Sequence, residues 1–98
     1  MERDAARSEP GHEVDLHGLD RRGAQRRLAQ ALQTARLRGA SSLLAITGRG
    51  WGSPDGEPVL RSHIEAWLAG PEAARLGVTG FERTSAGGAL AIRLRRQG

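Results

Sequence analysis

The chain opens without hydrophobic rhythm. Residues 1–11 are polar and end in Pro10-Gly11, a pair that interrupts regular structure, so they read as a flexible lead-in and the folded domain is expected over residues 12–98. From Glu13 to His17 the character alternates, with Val14 and Leu16 on one side and Asp15 and His17 on the other, which predicts a short strand ended by Gly18. Asp20 suits a helix cap. Behind it Ala24, Leu28, Ala31, Leu32 and Ala35 recur on one stripe, predicting a helix to about Arg38 that stops at Gly39. The unbroken run Leu43-Leu44-Ala45-Ile46 within Ser42–Thr47 predicts a strand buried on both faces. Thr47 to Gly56 is too rich in Gly and Pro for either regular structure. Glu57-Pro58 then opens a second helix, striped by Leu60, Ile64, Trp67 and Leu68 and ended at Gly70-Pro71. Two further strands are expected over Val78–Thr84 and Ala89–Arg95, the second with Leu90, Ile92 and Leu94 inward and Arg93 and Arg95 outward; Gly87-Gly88 suits a tight antiparallel link.

The order is therefore β-α-β-α-β-β. Strand, helix, strand implies a parallel pair joined by a right-handed crossover, and the predicted fold is an α/β (α+β) two-layer sandwich with helices on a mixed four-stranded sheet. With 98 residues and no internal repeat, the chain has room for one core.

Composition narrows the function classes. No run approaches the ~18 apolar residues of a membrane span, and the N-terminus lacks a signal-peptide pattern, so a soluble, cytoplasmic protein without a membrane partner is expected. There is no Cys, which excludes disulfides, thiolate zinc sites and cysteine nucleophiles, and three His do not supply a structural zinc site. All 15 basic residues are Arg, a bias that a GC-rich genome would also produce. Their distribution says more than their number: residues 1–20 hold six acids and two Arg, and residues 21–98 hold thirteen Arg and five acids. The folded part is thus strongly basic, and guanidinium groups that fork onto phosphates favour nucleic acid as the partner. Arg22, Arg26 and Arg27 lie on the first helix, where no acid follows the cap to neutralise them.

Two segments could carry chemistry. Both follow parallel strands and should meet at the carboxyl edge of the sheet, where ligands of open α/β sheets bind. In one, the i, i+2 spacing of Asp15 and His17 directs a carboxylate and an imidazole the same way; the same pair could also simply brace a loop. In the other, Thr47-Gly48-Arg49-Gly50 offers backbone N–H groups and a guanidinium to a phosphate, or is only a turn. Trp51 is either a base-stacking platform or a lid over the glycines. Trp67 belongs to the core, and His12 and His63 read as surface residues. The phosphate loop of nucleotide triphosphatases is excluded, because no Gly-Lys-Ser/Thr follows, and the dinucleotide fingerprint lacks its third glycine. With three aromatic residues in all, recognition should rest on phosphates and shape.

Three segments together, Val14-Asp15-Leu16-His17-Gly18, Ile46-Thr47-Gly48-Arg49-Gly50 and Gly88-Ala89-Leu90, resemble the small MutS-related (Smr) domain family over about residues 13–96, and Ser53 to Leu60 looks like its bacterial stand-alone branch. The resemblance implies a fold akin to the C-terminal domain of a translation initiation factor, nucleic-acid binding, and in some members DNA nicking or RNA endonuclease activity centred on Asp15, His17, Thr47, Gly48 and Gly50. Two departures stand out. Ser85-Ala86-Gly87 replaces further glycines before Gly-Ala-Leu, and Gly23 replaces an acidic residue common in the first turn of the first helix.

The expected chemistry has His17 as general base or acid, oriented by Asp15, with Arg49 and the glycine-loop amides stabilising charge on phosphorus. RNA supplies its own nucleophile in the 2′-hydroxyl and needs no cofactor. A DNA nick at one carboxylate and one imidazole would call on a single weakly held Mg2+ or Mn2+. The competing expectation is a non-catalytic module that docks nucleic acid or a ribosome through the same basic surface.

Overall fold

A computed structural model describes residues 12–48, 57–84 and 88–95. The elements run β1 (Glu13–Asp15), α1 (Arg21–Leu37), β2 (Ser42–Ile46), α2 (Glu57–Leu68), α3 (Pro71–Arg75), β3 (Val78–Arg83) and β4 (Ala89–Leu94). The expected β-α-β-α-β-β order is present, with one addition. Residues 71–75 form a single further turn of helix, started by Pro71 where a proline costs no hydrogen bond. Five residues are too few to show a helical period, so the segment left no trace in the hydrophobic pattern.

The four strands form one mixed sheet in the order β1-β2-β4-β3. β1 and β2 are parallel, with Asp15 beside Ile46, and β4 pairs antiparallel with both β2 and β3. Leu43, Ala45, Leu90, Ile92 and Leu94 are buried on the face that the helices cover, and join Leu28, Leu32, Leu60 and Ile64 in one core. Trp67, half-buried, packs against it, as do Val14 and Phe81. The expectation that β2 is buried on both faces is corrected. Its burial alternates, leaving Leu44 and Ile46 half-buried with Ala89 and Ala91 on the face away from the helices. A central position in the sheet supplied the unbroken apolar run without a second layer of helices.

The start of α1 explains one departure from the family pattern. Asp20 accepts a hydrogen bond from the Gly23 N–H at 2.7 Å, satisfying a donor that no helix can pair internally. A Cβ at position 23 would stand 2.9 Å from that same carboxylate oxygen. Glycine thus costs helix propensity but permits the close cap.

Candidate functional site

The site begins where β1 ends. Leu16 is fully buried, and its N–H donates to the Ile46 carbonyl at 2.7 Å, carrying the parallel pairing one residue past the strand. With Leu16 anchored inward, its neighbours Asp15 and His17 project to the opposite side, as the alternation predicts. One Asp15 carboxylate oxygen accepts the backbone N–H of His17 at 3.1 Å and the Nδ1–H of its ring at 2.5 Å. These two bonds, the ring's first, hold the Asp15 carboxyl below its ordinary value, and the positive charge of Arg27 adds to the effect. Asp15 is therefore an anion at neutral pH. An ionised carboxylate only accepts, so it fixes the His17 proton on Nδ1 and leaves the lone pair on Nε2. The ring is 65% exposed, within reach of a macromolecular substrate.

The glycine loop meets this pair directly. Gly48 has φ +90°, and a Cβ there would lie 2.9 Å from the Cβ of His17, so absence of a side chain lets the loop pass against the histidine. Thr47, 2% exposed, is beneath the surface, and its hydroxyl makes no hydrogen bond among the described residues. The N–H groups of Thr47 and Gly48 both donate to the carbonyl of Gly88, at 2.9 and 3.0 Å. This redistributes the roles expected from sequence. Those two amides are spent inside the protein, so Thr47 and Gly48 serve as framework here. Arg49, Gly50 and Trp51, the expected phosphate and base contacts, lie outside the described residues.

Gly88 is the participant that sequence reasoning missed. It was legible as part of a motif, but its carbonyl's service to a loop 40 residues earlier required the β2–β4 pairing. Its φ of +78° is a conformation that glycine adopts without strain.

The three arginines proposed on the first helix do not form one cluster. Arg27 shares a flank with Asp15 and acts on its charge. Arg22 and Arg26 stand on the other flank of the helix, lining a hollow with Gln25, Ala29 and Glu72. Successive residues turn about 100° around a helix, which separates Arg26 from Arg27 although they are adjacent in sequence. Among the described residues no three His, Asp or Glu side chains come together to hold a metal ion, and no helix is long and apolar enough to cross a membrane.

The model of the Smr domain family matches residues 14–95. Among solved structures, the Smr domain of MutS2 from Thermus thermophilus is 31% identical, with a TM-score of 0.68 over 85% of this chain and 96% of that one. YdaL, a stand-alone small MutS-related protein from Escherichia coli, shares the fold at 18% identity, with a TM-score of 0.76 over 95% of this chain and 71% of that one. No curated protein sequence matches the chain.

Proposed function

The chain belongs to the Smr domain family, a family associated with nucleic acids, and from that premise we propose that it is an endonuclease acting on RNA at the edge formed by Asp15, His17 and Gly48. One observation carries the reading: an exposed imidazole whose Nδ1–H is held at 2.5 Å by an ionised carboxylate, with no partner for the other nitrogen among the described residues. That is the arrangement of a carboxylate-oriented general base. His17 Nε2 takes the proton of a 2′-hydroxyl, the 2′-oxygen forms a bond to the adjacent phosphorus, and the bond to the 5′-oxygen breaks as that oxygen takes a proton from solvent. Arg27 contributes a weaker positive field on the Asp15 side of the helix, which favours approach of a phosphate. RNA brings its own nucleophile. Hydrolysis of DNA would need an activated water, which one carboxylate and one imidazole provide for less well.

The test is cleavage of labelled RNA and DNA, with and without EDTA, by the parent, His17→Ala and Asp15→Asn. His17→Ala should lower RNA turnover by ~10²–10⁴-fold with little change in affinity, because phosphate contacts lie elsewhere. Asp15→Asn should lower turnover markedly, since an amide can present an N–H where the carboxylate only accepts and no longer fixes the His17 proton on Nδ1. A parent that binds RNA but leaves single-stranded, duplex and ribosome-bound RNA intact would make the domain a docking module. Equal loss of affinity and turnover in His17→Ala would make the Asp15–His17 bond a loop brace.

A further inference from the structure

The helices cover one face of the sheet, and the alternation of each strand sets what the other face presents. One row there crosses all four strands: Glu13 of β1 beside Leu44 of β2, Leu44 beside Ala91 of β4, and Ala91 beside Glu82 of β3. The next row carries Asp15, Ile46 and Ala89. Leu44, Ile46, Ala89 and Ala91 thus form an apolar floor. It stays half-buried, because a central place in the sheet supplies neighbours at the sides and no cover from above.

The walls of this floor are charged. Glu13 and Glu82 are exposed and make no hydrogen bond or ion pair among the described residues. Three strand spacings separate them, about 14 Å, slightly more than the width of an α-helix at about 10–12 Å. The two ends of the floor differ in sign. Asp15 stands at one, and Arg93, exposed and reaching over Gly80 of β3, stands at the other. A helix carries partial positive charge at its N-terminus and partial negative charge at its C-terminus, so a helix laid between the walls can match both ends.

We infer that the open sheet face is a docking surface for a basic amphipathic helix of a partner protein, its apolar stripe on Leu44, Ile46, Ala89 and Ala91 and its flanking lysines or arginines against Glu13 and Glu82. The inference rests on the sheet and does not depend on cleavage at His17. A nucleic-acid backbone has the wrong sign for both walls. An added strand would pair with one edge of the sheet and leave the floor bare. A helix docked here lies beside the Asp15–His17 edge and leaves α1, on the other face, uncovered.

The experiment uses a synthetic helical peptide of about 14 residues, four turns, with a Leu/Ala stripe flanked on both sides by Lys, and a scrambled isomer of the same composition. Binding to the full chain is followed by fluorescence anisotropy at low salt and located by backbone amide shifts. The amphipathic peptide should bind about tenfold or more tighter than its isomer and should shift Leu44, Ile46, Ala89 and Ala91. E13Q/E82Q should weaken it about fivefold with an unchanged thermal melt, since neither carboxylate has a partner to lose within the described fold. A91R, which puts a long cation on the floor, should weaken it further, and E72Q, which removes a carboxylate from the helix layer, should leave it unchanged. Equal binding of the scrambled isomer, or equal losses in E13Q/E82Q and E72Q, would overturn the docking surface. So would peptide shifts confined to Val78–Arg83, which mean an added strand at the β3 edge. A dimer of the free chain in sedimentation that A91R abolishes would give the face to a second copy, and an RNA hairpin that shifts the four floor residues would give it to nucleic acid; either result overturns the inference.

Discussion

A methyl group at Gly48 would meet both a backbone φ of +90° and the Cβ of His17 at 2.9 Å. Gly48→Ala should therefore destabilise the fold by about 1 kcal/mol or more, and should displace the histidine and lower RNA cleavage beyond what the lost stability explains. Urea denaturation beside turnover, both at a concentration where the variant is folded, separates the two effects. Of the site, the sequence showed what depends on neighbours: the i, i+2 spacing placed Asp15 and His17 together, and the structure joins them with a hydrogen bond. What depends on distant pairing was hidden. Nothing in Thr47-Gly48 announces that its amides are taken by Gly88, so a loop that reads as a phosphate cradle spends its first two donors on its own sheet.

At the scale of the element, α1 carries the clearest trade. Asp20→Ala should cost about 1 kcal/mol, because the Gly23 N–H loses its acceptor. Gly23→Ala, which in an ordinary exposed helix position would gain nearly 1 kcal/mol, should gain little, because the added Cβ crowds the cap. Thermal melts of both variants and of the double variant check the coupling: in the Asp20→Ala background, Gly23→Ala should recover its full propensity gain. The helix itself was legible because four of the five stripe residues, Ala24, Leu28, Leu32 and Ala35, are buried. The third helix was not, since a single turn has no period to read. Nor was it noted from sequence that adjacent Arg26 and Arg27 diverge by about 100° around the helix, although the helical turn fixes this.

Across the whole molecule, stability should fall with acid for an identifiable reason. Asp15 is held below its ordinary pKa by His17, and Glu65 below its own by Arg83, whose guanidinium forks onto the carboxylate at 2.7 and 3.1 Å and ties β3 to α2. A carboxyl lowered in the folded state contributes stability above its unfolded pKa and loses it as pH falls through the folded value. That window lies below the ordinary values of 3.8 for Asp15 and 4.5 for Glu65. Glu65→Gln should cost less than about 1 kcal/mol at neutral pH, given the exposure of Arg83, and should flatten the stability profile as pH falls below 4.5, where denaturant titrations would show it.

β4, the last of the described strands along the chain, lies between β2 and β3 and begins beside the carbonyl that clamps the glycine loop. A polypeptide emerging from the ribosome can pair β1 with β2 and cover them with α1, but it cannot join β3 to that half until residues 89–94 have been made. Until then β2 has an open edge, and the amides of Thr47 and Gly48 have no acceptor. Synthesis thus imposes an order of assembly in which the Asp15–His17 edge gains its neighbouring loop only at the final step. During synthesis the Asp15–His17 edge therefore stays incomplete until the chain has been made past residue 94.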